Sequence, residues 1–184
     1  MEQPKVFISY SWDSEAHKAW VKSLADRLMG DGVNITLDQY DLLLGRNLTN
    51  YMEEAVDKAD KVILILTENY KIKAEGRTGG VGYEYSMINA EWYKKQTANN
   101  KFIPILRQGT HETAIPRFVD SYIYGDMRDG GDFEEAYQMM IRTIYNSPRH
   151  KKPKVGKPPI YVQPTQEEPP SPSETRNTII HSLD

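Results

Sequence analysis

The chain has 184 residues, no cysteine and a net charge of −3 at neutral pH. Its length suits one domain plus an extension, and the absence of thiols excludes disulfides and thiolate catalysis and favours an intracellular, cytoplasmic setting. The charge gives no general attraction to nucleic acid or to an anionic membrane, no apolar run reaches the ~20 residues of a membrane span, and the first residues contain no signal-peptide core.

In chain order, Lys5-Val6-Phe7-Ile8-Ser9-Tyr10 predicts a first strand. Asp13 or Ser14 then caps a helix whose apolar stripe is Ala16, Trp20, Val21, Leu24 and Leu28, stopped by Gly30 and Gly32. Val33-Asn34-Ile35-Thr36-Leu37-Asp38 predicts a second strand ending on a carboxylate. A loop over 39–46 follows, and Asn47 caps a helix with Leu48, Met52, Ala55 and Val56 inward. Val62-Ile63-Leu64-Ile65-Leu66-Thr67 reads as a buried third strand. A long loop over 68–80 then leads through Gly79-Gly80-Val81-Gly82-Tyr83 into a helix with Glu84 in its first turn. Phe102-Ile103-Pro104-Ile105-Leu106 reads as a fourth strand whose proline suggests an edge position or irregular pairing. Ser121-Tyr122-Ile123-Tyr124 reads as a short fifth strand, and a helix over about 133–145 closes the domain. Strands alternating with helices predict an α/β fold, a flavodoxin-like doubly wound five-stranded parallel sheet over residues 1–147.

Beyond Ser147 the composition changes. Eight of the eleven prolines fall in the last 37 residues, with few apolar side chains between them. Such a segment buries too little surface to offset its ordering entropy, so 148–184 reads as a Pro-rich linker or disordered tail. Arg149, Lys151, Lys152, Lys154 and Lys157 make its start basic, as a solvated linker or a weak polyanion contact would be.

Several chemistries lack their residues. The four histidines are scattered, with no HExxH motif and no Cys/His cluster, so no metal site is expected. The glycines of 76–82 lack the Gly-Lys-Ser/Thr ending of a P-loop, no GxGxxG follows a strand, and no G-x-S-x-G surrounds Ser9 or Ser11. The end of the third strand offers no phospho-accepting aspartate, which disfavours a receiver domain.

What remains lies at the expected carboxyl edge of the sheet, where open α/β folds bind ligands. Ser9-Tyr10-Ser11-Trp12-Asp13 follows the first strand, 38–46 the second, and the glycine entry to Glu84 the third. In this order the segments resemble a TIR domain of the bacterial type over most of residues 5–147. Val6-Phe7-Ile8-Ser9-Tyr10-Ser11 is similar to the family's opening strand motif, and Asp38 through Gly45-Arg46 to its second motif, the loop often called BB. Leu66-Thr67-Glu68-Asn69-Tyr70 resembles the segment after the third strand, and Ile115-Pro116-Arg117-Phe118 the Pro-containing segment before the fifth.

The resemblance implies an activity. Many TIR domains cleave the nicotinamide–ribose bond of NAD+ with a glutamate on the helix after the third strand, a role that carries over to Glu84. NAD+ is then substrate, and no cofactor is implied. Where the family commonly has Trp-Cys before the glutamate, this chain has Gly80-Val81-Gly82-Tyr83. A second alignment uses Ala90-Glu91-Trp92-Tyr93, which resembles the Ser-Glu-Trp-Cys of animal TIR domains and would put Gln96 where the glutamate belongs. Glu84 and Glu91 would stand about 10 Å apart along one helix face, with only Glu84 at the end facing the crevice. Nicotinamide leaves as a neutral molecule, so a single ionised carboxylate near the oxocarbenium-like ribosyl centre suffices.

Further roles follow from position. Ser9 and Ser11 are candidates to bond nicotinamide or ribose, Trp12 to stack on a base, and Asp38 to orient the second loop or a substrate hydroxyl. Arg46 is the candidate for the pyrophosphate, and Tyr40 and Tyr83 for pocket walls. Leu42-Leu43-Leu44-Gly45 is unusually apolar for a loop, which fits either burial in a self-association contact or folding back onto the core. The resemblance implies homo-oligomers through TIR–TIR contacts and a role in antiphage defence. It also implies a C-terminal sensor module such as STING or SAVED tethered by the tail. The alternative is a non-catalytic TIR adaptor.

Overall fold

The computed structural model describes residues 2–76, 88 and 100–162. It divides into two units, 1–149 and 150–184. The first holds a five-stranded parallel sheet in the order β2-β1-β3-β4-β5. Its strands are β1 (Lys5–Tyr10), β2 (Asn34–Thr36), β3 (Lys61–Leu66), β4 (Phe102–Leu106) and β5 (Gly125–Asp126). The helices among the described residues are α1 (Glu15–Gly30), α2 (Asp38–Asp41), α3 (Leu48–Lys58), α4 (Glu68–Glu75), α5 (His111–Ala114) and α6 (Phe133–Ile144), with a 3-10 turn at Arg117–Val119. This is the doubly wound order of a flavodoxin-like fold.

Two-residue periodicity divides the core between the faces of the sheet. Val6, Ile8 and Tyr10 of β1, with Ile63 and Ile65 of β3, pack against Val21, Leu24, Ala25 and Leu28 of α1 and Ala136, Tyr137, Met140 and Ile144 of α6. Phe7, Val62, Leu64 and Leu66 face the other way, onto Tyr51, Met52, Ala55 and Val56 of α3 and Tyr70 and Ala74 of α4. Strands buried on both faces explain the continuous apolar runs of β1 and β3.

Helix entries follow the local chemistry. Ser14 caps α1 by accepting from the His17 N–H, and Asn47 caps α3 by accepting from Asn50. Gly32 turns the chain out of α1 at φ +88°, a left-handed conformation suited to glycine.

Several expectations are corrected. On α1, Ala16 is exposed, whereas His17 and Ala25 join the buried stripe. On α3, Leu48 is half-buried and Tyr51 takes the inner position. The second strand ends at Thr36, and Asp38 opens α2 where a loop was expected from residue 39. Residues 68–75 form α4 rather than loop, because Thr67 accepts from the Tyr70 N–H at 3.1 Å and starts a helix. The last strand is Gly125–Asp126, not 121–124. Pro104 does not mark an edge strand: β4 lies between β3 and β5, and β5 pairs only Ile105 and Leu106, so Pro104 lies beyond the end of that ladder.

Of the second unit, 150–162 are described: an exposed stretch with one 3-10 turn at Ile160–Val162. Among the described residues no helix is long and apolar enough to cross a membrane.

Candidate functional site

The strand order reverses at β1, which is flanked by β2 on one side and β3 on the other. In such sheets the crevice opens beyond the carboxyl ends of the strands at this reversal, and three segments converge there. Ser11, Trp12 and Asp13 leave β1, Thr67 leaves β3, and Asp38 follows β2.

Two polar clusters knit these ends together. In the first, Ser11 Oγ donates to Asp13 Oδ1 at 2.5 Å and lies 3.2 Å from Thr67 Oγ1, while Thr67 donates to Asp13 Oδ2 at 2.7 Å. The Asp13 carboxylate is thus held by hydroxyls that follow β1 and β3. In the second, Asp38 Oδ2 accepts from Trp12 Nε1 at 2.8 Å and from Tyr10 Oη at 3.2 Å, and Asp38 Oδ1 accepts from the Gln39 N–H at 2.9 Å. Burial pushes the Asp38 carboxyl above the usual carboxylate range, against those donors. The Tyr10 hydroxyl is also pushed up, first by burial and then by the adjacent Asp38 charge. Lys18 Nζ stands 5.2 Å from the centre of the Trp12 ring.

Behind this edge, on the α1 face, lies a group that residue spacing did not reveal. His17 is only 4 % exposed, and neither ring nitrogen has a hydrogen-bond partner among the described residues. Its ring stacks on Trp20 and tilts against Tyr10. Burial lowers its proton affinity, and Arg107 lowers it further while Asp13 opposes, so the imidazole is neutral at pH 7. Arg107, 9 % exposed at the end of β4, lies 4.7 Å from the Trp20 ring centre. Its Nη1 bonds the Met127 carbonyl at 3.3 Å and pairs with Asp129 at 2.9 Å.

The expected site residues therefore separate. Ser11, Trp12 and Asp38 gather at the carboxyl edge, with Asp13 and Thr67 added to them. Ser9 and Ser11 have no exposed surface; Ser9 lies one step inside the sheet, bonded to Tyr70. Tyr40 packs on the α1 side, donating to Asp26, with Lys22 5.7 Å from its ring centre. Arg46 is exposed, donates to the Asp41 carbonyl at 3.1 Å and lies 5.7 Å from the Tyr51 ring centre. In the second loop Leu42 folds onto the core, whereas Leu43 is 72 % and Leu44 105 % exposed. Gly45 turns there at φ +87°. Glu84, Tyr83 and the competing Glu91 lie outside the described residues. Thr67 and Asp13 were legible as polar residues ending parallel strands; His17 and Arg107 were not, because nothing in their spacing distinguishes them from surface groups.

Comparison with known proteins adds the lineage. A prokaryotic SEFIR domain of known structure is 37 % identical and superposes with a TM-score of 0.70, over 84 % of this chain and 100 % of that one. The TIR domain of the Toll-related receptor TRR-2 from Hydra magnipapillata shares the fold at 17 % identity and TM-score 0.56, covering 77 % of this chain and 98 % of that one. The TIR domains of the activated Roq1 resistosome, which directly recognises the pathogen effector XopQ, share it at 14 % identity and TM-score 0.54, covering 77 % and 99 %. Residues 6–141 match the TIR domain family. With that match spanning the β2-β1-β3-β4-β5 sheet and its carboxyl-edge clusters, the chain belongs to the TIR domain family.

Proposed function

We propose that this TIR domain is an NAD+ glycohydrolase or cyclase, releasing nicotinamide and ADP-ribose or a cyclised product, with Glu84 as its catalytic carboxylate. The observation that supports the reading is the polar edge at the strand reversal, where Asp13 is fixed by Ser11 and Thr67; Glu84 lies in the chain between β3 and β4. The carboxylate stabilises the oxocarbenium-like ribosyl centre by charge or by binding ribose hydroxyls, while nicotinamide departs neutral and needs no general acid. The oxygen of water or of a hydroxyl of the same nucleotide then bonds to the ribosyl carbon that nicotinamide has left and releases its proton to solvent, giving the linear or the cyclic product. Self-assembly through the exposed Leu43 and Leu44 raises activity with protomer concentration, in a cytoplasmic antiphage response.

The test is nicotinamide release from NAD+ by the full chain at high concentration with a crowding agent, beside Glu84→Gln. Release by the wild type, reduced at least about 10²–10³-fold in the variant, is expected. Equal release by both would remove Glu84 from the chemistry.

A second reading is a non-catalytic adaptor working through domain–domain contacts, favoured by the two exposed leucines and by the likeness to a prokaryotic SEFIR domain. It expects no release even where light scattering shows assembly, together with loss of signalling when the 42–46 loop is altered.

A further inference from the structure

Ile88 is held from three directions. Its side chain is buried in the core cluster with Phe7, Leu64, Leu66 and Tyr70. Its N–H donates to Ser9 Oγ at 3.0 Å and to Tyr70 Oη at 3.0 Å, and its carbonyl accepts from Tyr70 Oη at 3.3 Å. Ser9 Oγ and Tyr70 Oη are themselves 2.9 Å apart. One proton arrangement satisfies every group: Ser9 donates to Tyr70, Tyr70 donates to the Ile88 carbonyl, and the Ile88 N–H is shared between the two oxygens. Both side chains are completely buried, so water does not compete for these bonds. Ser9 lies on β1 and is paired in register with Leu64 of β3, and Tyr70 stands on the first turn of α4 beyond the end of β3. The grip therefore sits at the strand reversal.

We infer that Ser9 and Tyr70 are positioning residues: they grip the main chain at Ile88 and so tether the stretch carrying Glu84 to the junction of β1 and β3. Glu84 precedes Ile88 by four residues in the chain, so a hold on the Ile88 backbone acts on the segment that carries it. Ser9 acts through the backbone of Ile88 rather than by touching nicotinamide or ribose. The catalytic part of this inference rests on the NAD+-cleavage reading; the tether itself does not.

The experiment combines amide hydrogen exchange across residues 84–90 with steady-state NAD+ cleavage, on the full chain and on Tyr70→Phe and Ser9→Ala. Tyr70→Phe keeps the ring in place and removes only the oxygen that both accepts from and donates to Ile88. Exchange at Ile88 is expected to quicken at least about tenfold in both variants while the amides of β1 and β3 keep their protection. In the same variants kcat falls at least about tenfold with KM unchanged, since a loosened tether misplaces Glu84 without removing a substrate contact. Unchanged exchange at Ile88, or quickening that spreads equally through β1 and β3, overturns the tether whatever the kinetics. Selective quickening with unchanged kcat in an active protein overturns the positioning role. If the assembled wild type releases no nicotinamide, the cleavage reading fails, and the tether is then decided by exchange alone.

Discussion

Protonating His17 in place would put a cation in a buried position against Tyr10 and Trp20, with Arg107 opposing it and Asp13 favouring it. The native state therefore resists the proton that the unfolded chain accepts below about pH 6.5. The unfolded state binds more protons in that window, so stability is full above it and falls as pH drops through it, until the native imidazole itself titrates. Each tenfold loss of native proton affinity is worth about 1.4 kcal/mol. His17→Phe removes the titration and both unpartnered nitrogens while keeping a stacked ring. Urea midpoints at pH 7.5 and 5.5 should show the wild type losing more stability between those values than the variant. Equal losses would move the effect to another group. Asp38 runs the opposite way: burial raises its carboxyl, so ionising it between the unfolded and the native value costs stability as pH rises.

Among the elements, α4 shows how a single hydroxyl serves two parts of the fold. Thr67 caps the helix through the Tyr70 N–H and also donates to Asp13, so it joins the start of α4 to the loop after β1. Thr67→Ala should cost about 1–2 kcal/mol in chemical denaturation; a loss below about 0.5 kcal/mol would mean that neither bond matters to stability. The same helix marks the reach of sequence reasoning. Strands β1 and β3 announce themselves as apolar runs, and α1 and α3 by a cap followed by periodic apolar residues. In α4 only Tyr70 and Ala74 face the core, too few for a visible stripe, so its helicity was not legible. The last strand misled for the opposite reason: Tyr122, Ile123 and Tyr124 are good strand formers, whereas the paired residues are Gly125 and Asp126, poor ones. A Cβ at Gly125 would lie 2.9 Å from Ile105 Cδ1, so a larger residue there would make that side-chain end shift. The edge residues Ser11, Trp12 and Asp38 were legible because they end or follow strands. The network behind them was not, because the bonds that join its segments link residues as far as 26, 54 and 79 positions apart in the chain.

For the whole molecule, the second loop divides its leucines between folding and contact. Leu42 contributes to the core, while Leu43 and Leu44 present apolar surface that the fold itself does not use. Leu43→Asp with Leu44→Asp should leave thermal stability within about 0.5 kcal/mol of wild type, as befits exposed positions. Under the proposed assembly it should also abolish concentration-dependent association in sedimentation velocity. Unaltered association would place the contact on another face.

The Trp12 indole N–H is pinned by Asp38 while part of its ring meets solvent at the carboxyl edge. The domain therefore carries its own optical gauge. With Trp20 and Trp92 changed to phenylalanine, the remaining tryptophan would report by colour and intensity on anything that enters the crevice or dries it, with no label attached.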